Sequence, residues 1–131
     1  MTAKTTALIF GFIFIAVGLL GFIGNPIIAN SEKAMFHADT IHSIVHIGSG
    51  VLFLLFALAA PSSVATFLIV FGIVYLLIGV IGFFSIGTTG MGKVLGILNV
   101  NRADNYLHVG LGIIIFVAGF ASRKVPAPSR Y

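Results

Sequence analysis

Four apolar runs without a charged residue occupy positions 6–23, 41–60, 64–84 and 105–121, and polar or basic stretches separate and flank them. Each run is close to the roughly 20 residues that a helix needs to cross about 30 Å of hydrocarbon. Pro61, Ser62 and Ser63 stand between the second and third runs. Proline cannot continue a helix and serine readily caps the next one, so the pattern predicts a tight helical hairpin with a serine cap. The other two connections, 24–40 and 85–104, are longer and carry glycine, asparagine and scattered charge. They are expected together on the opposite side of the membrane.

The two halves of the chain share a spacing of small and aromatic residues. Phe10, Gly11, Gly18, Gly21 and Phe22 recur 61 positions later as Phe71, Gly72, Gly79, Gly82 and Phe83. Asp39, His46, Gly48 and Gly50 correspond to Asn101, His108, Gly110 and Gly112 at an offset of 62. One extra loop residue accounts for the difference, and the pattern reads as a duplicated two-helix unit. A unit that crosses twice returns to its starting side, so both copies keep the same orientation about an axis along the membrane normal. The predicted fold is an all-α membrane protein of four transmembrane helices, built as two parallel-repeat helix pairs at about 5–60 and 65–122. Residues 123–131 are read as a short basic cytoplasmic tail on a single 1–131 domain.

Composition narrows the class further. With 59% hydrophobic residues, 8% charged residues and a mean hydropathy of +1.18, the chain is read as an integral membrane protein, and 131 residues leave no room for a soluble domain beside four crossings. The absence of cysteine excludes disulfides and thiolate chemistry. Lys4, Arg123, Lys124 and Arg130 flank the terminal side, against Lys33, Lys93 and Arg102 on the other. The positive-inside rule therefore puts both termini in the cytoplasm. A cleaved signal peptide ending near Ala29 is the alternative for the first run, but cleavage would leave the third helix without its repeat partner. The recurring glycines serve close helix packing in lipid, and Gly48, Ser49, Gly50, Gly110 and Gly112 are expected to open the facing helices.

Three of the four histidines lie in the stretch HADTIHSIVH, residues 37–46. Asp39 and Asn101 are favoured N-cap types before the second and fourth helices. His46 and His108 then lie about two turns inside, at equal depth, facing the bundle rather than lipid. One turn earlier stand His42 in one copy and Asp104 in the other, with Ser43 and Asn105 beside them. The preferred reading of His42, Ser43, His46, Asp104, Asn105 and His108 is a structural polar network in which His46 and His108 anchor the backbone of the long connections. On that reading there is no cofactor. The alternatives are a transition metal or haem b held by His46 and His108, with Asp104 orienting His108, and proton- or lipid-related chemistry. Tyr75, whose repeat counterpart is Phe14, is expected to bond a carbonyl.

The segments His42-Ser43-Ile44-Val45-His46-Ile47-Gly48 and Asn99 to His108 resemble those of a family of small bacterial four-helix membrane proteins, domain of unknown function 4383. Ser43 stands where the resemblance leads one to expect asparagine. The resemblance implies a bacterial cytoplasmic or thylakoid membrane and brings no activity, ligand or catalytic residue with it. No nucleophile–base pair, phosphate loop or metalloprotease motif occurs, so no enzyme is predicted. The few basic residues flank membrane spans, which leaves nucleic-acid binding without a basis. The expected role is an accessory or scaffold component of a membrane complex, with lipids and another membrane protein as partners and the oligomeric state open.

Overall fold

In a computed structural model, residues 1–123 are described. Four helices form the body: α1 (Ala3–Leu20), α2 (Thr40–Ala59), α3 (Val64–Ile86) and α4 (Arg102–Ala121). All four are long and apolar enough to span a bilayer. The basic tail expected over 123–131 lies, beyond Arg123, outside the described residues.

The helix ends follow from local side chains. α1 stops three residues short of the predicted end. There Asn25 donates through Nδ2 to the carbonyls of Leu20 and Ile23 and accepts the amides of Ile27 and Ile28 through Oδ1. α4 starts at Arg102, directly after the predicted cap Asn101 and three residues before the uncharged apolar run, and Asn101 and Asp104 form a reciprocal capping box. Asp39 caps α2 by accepting from the His42 amide at 2.8 Å. Residues Pro61–Ser63 form one 3₁₀ turn, and Ser63 makes no side-chain cap to α3. The predicted serine cap is therefore corrected: the turn leads directly into the helix with Ser63 already helical.

The connections contain short strands that the apolar pattern did not predict. β1 (Ile28–Ala29) pairs in parallel with β2 (Phe36–His37), and β3 (Met91–Val94) pairs antiparallel with β4 (Leu98–Asn101). Backbone groups leaving a helix near hydrocarbon need partners, and a strand ladder supplies them. The β3–β4 turn places Leu95 and Gly96 at φ 53° and 72°, the left-handed pair that matches strand twist in a tight hairpin. Val94, Leu98 and Val100 bury themselves beneath this hairpin against Ile86.

α1 packs closely on α2, and α3 on α4, through backbone approach at glycine. A methyl group on Gly11 would meet the Gly50 carbonyl at 3.1 Å, and one on Gly72 would meet the Gly112 carbonyl at 2.8 Å. Gly18 lies on Ser43 and Ile47 as Gly79 lies on Asn105 and Val109, while Gly21 abuts Ser43 as Gly82 abuts Asn105. Gly48 and Gly110 have nothing within 4 Å of an added methyl, so those two, expected at the helix interface, face outward instead. Between the pairs runs a column of aromatic rings, in which Phe14 and Phe71 touch each other and both touch Phe53 and Tyr75. Ala7, Ala57, Val64, Leu68 and Ile115 complete this core.

Candidate metal centre

Helical spacing places His42 and His46 one turn apart on the inner face of α2, and their ring centroids lie 4.7 Å apart. His108 of α4 reaches the same point, with centroids 5.6 Å from His42 and 6.2 Å from His46. All three rings are buried. One ligand nitrogen from each can be chosen so that the three lie within 4.8 Å of one another. The sequence had singled out His46 and His108 as the alternative ligand pair. The fold adds His42 as the third member.

The ring of His42 is held by the opposite half of the molecule. Its Nδ1 lies 2.8 Å from the carbonyl oxygen of Asn99. A carbonyl only accepts, so Nδ1 carries the hydrogen and Nε2 keeps the lone pair. Asn99 is itself positioned through its Nδ2, which donates to Asp39 Oδ2 at 2.6 Å. A histidine with one nitrogen fixed by a backbone carbonyl and the other free is the arrangement that prepares imidazole for a metal.

Asp104, the counterpart of His42 by the 62-residue offset, makes the reciprocal connection. Its Oδ2 accepts from the amide of His37 at 3.0 Å and from the amide of Asn101 at 2.7 Å. His37 corresponds to Asn99 by the same offset. Each half thus extends a side chain from the first turn of its second helix to the backbone of the other half's connection. Asn101 adds a bond from Nδ2 to the Met35 carbonyl.

These bonds correct the expected network in two respects. The connections are anchored by His42, Asp104, Asn99 and Asn101 rather than by His46 and His108, because the two deeper histidines lie below the reach of the loop backbone. Asp104 is committed to two amides and does not orient His108. Among the described residues the Nδ1 atoms of His46 and His108 are buried without any hydrogen-bond partner, as are His37 Nδ1, Ser43 Oγ and both amide atoms of Asn105. Ser43 and Asn105 belong to the helix interfaces, against Gly21 and Gly82. The Tyr75 hydroxyl is also buried and unpartnered, contrary to the expected carbonyl bond. A buried polar atom left unpaired costs about 1–3 kcal/mol, so all of these atoms need a reason, and those of His46, His108 and Tyr75 belong to residues that line the cavities beside the triad.

Two small cavities flank the triad, each about 20 Å³ and each lined by all three histidines. The first also has Asp104, Val17 and Leu107 in its wall, and the second Tyr75, Phe14 and Ser49. About 10–15 Å³ holds one water-sized species, whereas organic cofactors occupy clefts of about 300 Å³ or more. Each cavity therefore has room for about one water-sized species.

Sequence reading alone missed Asn99 and Tyr75 as neighbours of the triad. Asn99 was legible only as part of a polar stretch, since its carbonyl carries the bond that matters. Tyr75 had one usable signal, a hydroxyl replacing Phe14 at the equivalent position.

A family model described as Domain of unknown function (DUF4383) matches residues 4–121, and the chain belongs to that family. No curated protein and no solved structure matches the chain.

Proposed function

We propose, taking membership of that family as the starting point and the chain's own side chains as the guide, that this multi-pass membrane protein binds one transition-metal ion through His42, His46 and His108. The carrying observation is that three buried imidazole nitrogens can be brought within 4.8 Å of one another. Nitrogens around a tetrahedral ion with bonds of 2.0–2.1 Å stand about 3.4 Å apart, so small rotations of the rings close the site. Imidazole suits zinc, copper, iron and nickel, and three such ligands do not suit magnesium or calcium. The unpartnered Nδ1 atoms of His46 and His108 and the fixed tautomer of His42 favour this reading over a purely structural network.

The equivalence of the glycine contacts in the two helix pairs, and of the crossed bonds made by His42 and Asp104, supports reading the chain as a duplicated helix pair. On that reading His46 and His108 are symmetry mates across the axis, their ring centroids 6.2 Å apart. The basic-residue balance puts both termini in the cytoplasm and the metal site at the outer surface of a bacterial cytoplasmic or thylakoid membrane. We assign the protein an accessory role in a membrane complex and no catalysed reaction.

The test is metal binding by the detergent-purified, chelator-stripped full chain, titrated with zinc, copper(II) and cobalt(II). One equivalent is expected to bind, and His42→Ala, His46→Ala and His108→Ala are each expected to weaken binding by about 100-fold or more. His37→Ala serves as the control, because the His37 ring nitrogen lies 3.3 Å from Asn30 and the residue is not part of the triad. Failure of the wild-type chain to take up a stoichiometric ion, or retention of full affinity by the three variants, returns the cluster to a structural role.

A further inference from the structure

We infer that the metal centre is of the open kind, with a fourth coordination position on the Asp104 side that holds a water exchangeable for a small anion. The inference rests on the proposed histidine site and says what that site does with its unfilled position. Closed structural sites of borderline metals have four protein ligands, whereas three ligands leave a position for water or an exogenous group. Among the described residues the ligating group comprises three histidines, with no carboxylate close enough to join them.

The space for a fourth ligand already exists. The cavity of about 20 Å³ bounded by the triad and Asp104 has the volume of one small species. Both bonds of Asp104 converge on Oδ2, and Oδ1 has no hydrogen-bond partner among the described residues. Asp104 lies one turn before His108, where the other half carries His42, but its carboxylate is turned to the His37 and Asn101 amides and does not join the histidine group. A carboxylate in that position accepts a hydrogen bond from a metal-bound water and contributes one negative charge.

Charge balance decides what else binds there. Three neutral imidazoles add nothing to a divalent ion, and Asp104, the one carboxylate in the cavity wall, offsets half of its charge. A residual positive charge close to hydrocarbon is costly, which lets an anion displace the bound water even against the repulsion of Asp104. The second cavity, on the other face of the triad, offers a neutral hydroxyl from Tyr75 and aromatic walls, and it lacks a charged group.

Azide titration of the cobalt(II)-loaded full chain tests this, read by ligand-field absorption and equilibrium dialysis. Saturable replacement of one ligand by azide is expected in the wild type. In Asp104→Asn, removal of the like charge should tighten azide about tenfold, while Tyr75→Phe should leave its affinity unchanged. Cobalt bands that stay unmoved by azide in a stoichiometrically loaded protein refute the open position and leave the histidine site standing. Absence of bound cobalt refutes the site itself. A response to Tyr75→Phe without one to Asp104→Asn puts the fourth ligand on the wrong side of the triad and overturns the assignment. Because Asp104 also caps α4, the wild-type titration decides openness by itself.

Discussion

At Gly72 and Gly112 a single methyl group separates a packed helix pair from a strained one. The added carbon would lie 2.5 Å from the Phe116 amide nitrogen in the first case and 2.5 Å from the Leu76 amide nitrogen in the second. Both obstacles are backbone, so the helices must move apart. Gly72→Ala and Gly112→Ala are each expected to destabilise the protein by about 1–3 kcal/mol. Gly48→Ala and Gly110→Ala meet open space and should be neutral or slightly stabilising, since alanine favours helix over glycine. Reversible unfolding in mixed micelles, comparing all four variants, checks the contrast. Equal changes at all four positions, gains or losses alike, would show that close backbone approach does not distinguish these glycines. At Phe53, fully buried between the two pairs, replacement by alanine removes a ring that touches Phe14, Phe67 and Phe71. A loss of about 3–5 kcal/mol is expected in the same assay.

At the scale of elements, α2 and α4 are tied to each other's preceding connections. Asn101 has two tasks: Oδ1 caps α4 by accepting the Asp104 amide, and Nδ2 holds the Met35 carbonyl next to β2. Asn101→Ala should therefore cost about 1–2 kcal/mol and also release the distant segment 28–37. Hydrogen exchange is expected to accelerate at the amides of Met35, Phe36 and His37, which bond Pro26, Ile27 and Asp104 respectively. Asn101→Asp keeps the helix cap but removes the donor to Met35, so it should accelerate exchange there with little effect on α4. Unchanged protection of residues 28–37 in both variants would refute the coupling. Asp39 ties the halves the other way, accepting the His42 amide and the Asn99 side chain.

On the scale of the whole molecule, the two helix pairs meet through the aromatic column and through the crossed bonds of the connections, with the histidine triad between them. The triad therefore forms only when both halves dock. The orientation of that assembly in the membrane has its own test, since the chain has no cysteine. Single cysteines at Thr2, Ser62, Lys33 and Thr88, all exposed, can be probed in intact cells with a membrane-impermeant thiol reagent. Labelling is expected at Lys33→Cys and Thr88→Cys only. Labelling at Ser62→Cys in place of these would reverse the proposed orientation and put the triad on the cytoplasmic side.

Much of this architecture was determined by sequence alone. Four runs of span length, a proline break and a backbone that must satisfy itself in hydrocarbon leave a four-helix protein as the solution. The caps Asp39 and Asn101 were legible because capping is local, and the inward face of His46 and His108 because a polar ring directed into lipid lacks partners. What lay beyond reach depends on contacts between distant residues. The bond from His42 to the Asn99 carbonyl and the bond from the His37 amide to Asp104 join positions 57 and 67 residues apart through backbone atoms, which carry no side-chain signature. The end of α1 at Leu20 and the strands of the two connections likewise arise from hydrogen bonds that no hydropathy pattern records. Only the tertiary structure decided that the Nδ1 atoms of the two deep histidines have no partner among the described residues and that a third ring stands beside them. Partnership in a buried site is set by where the opposing half of the molecule places its atoms.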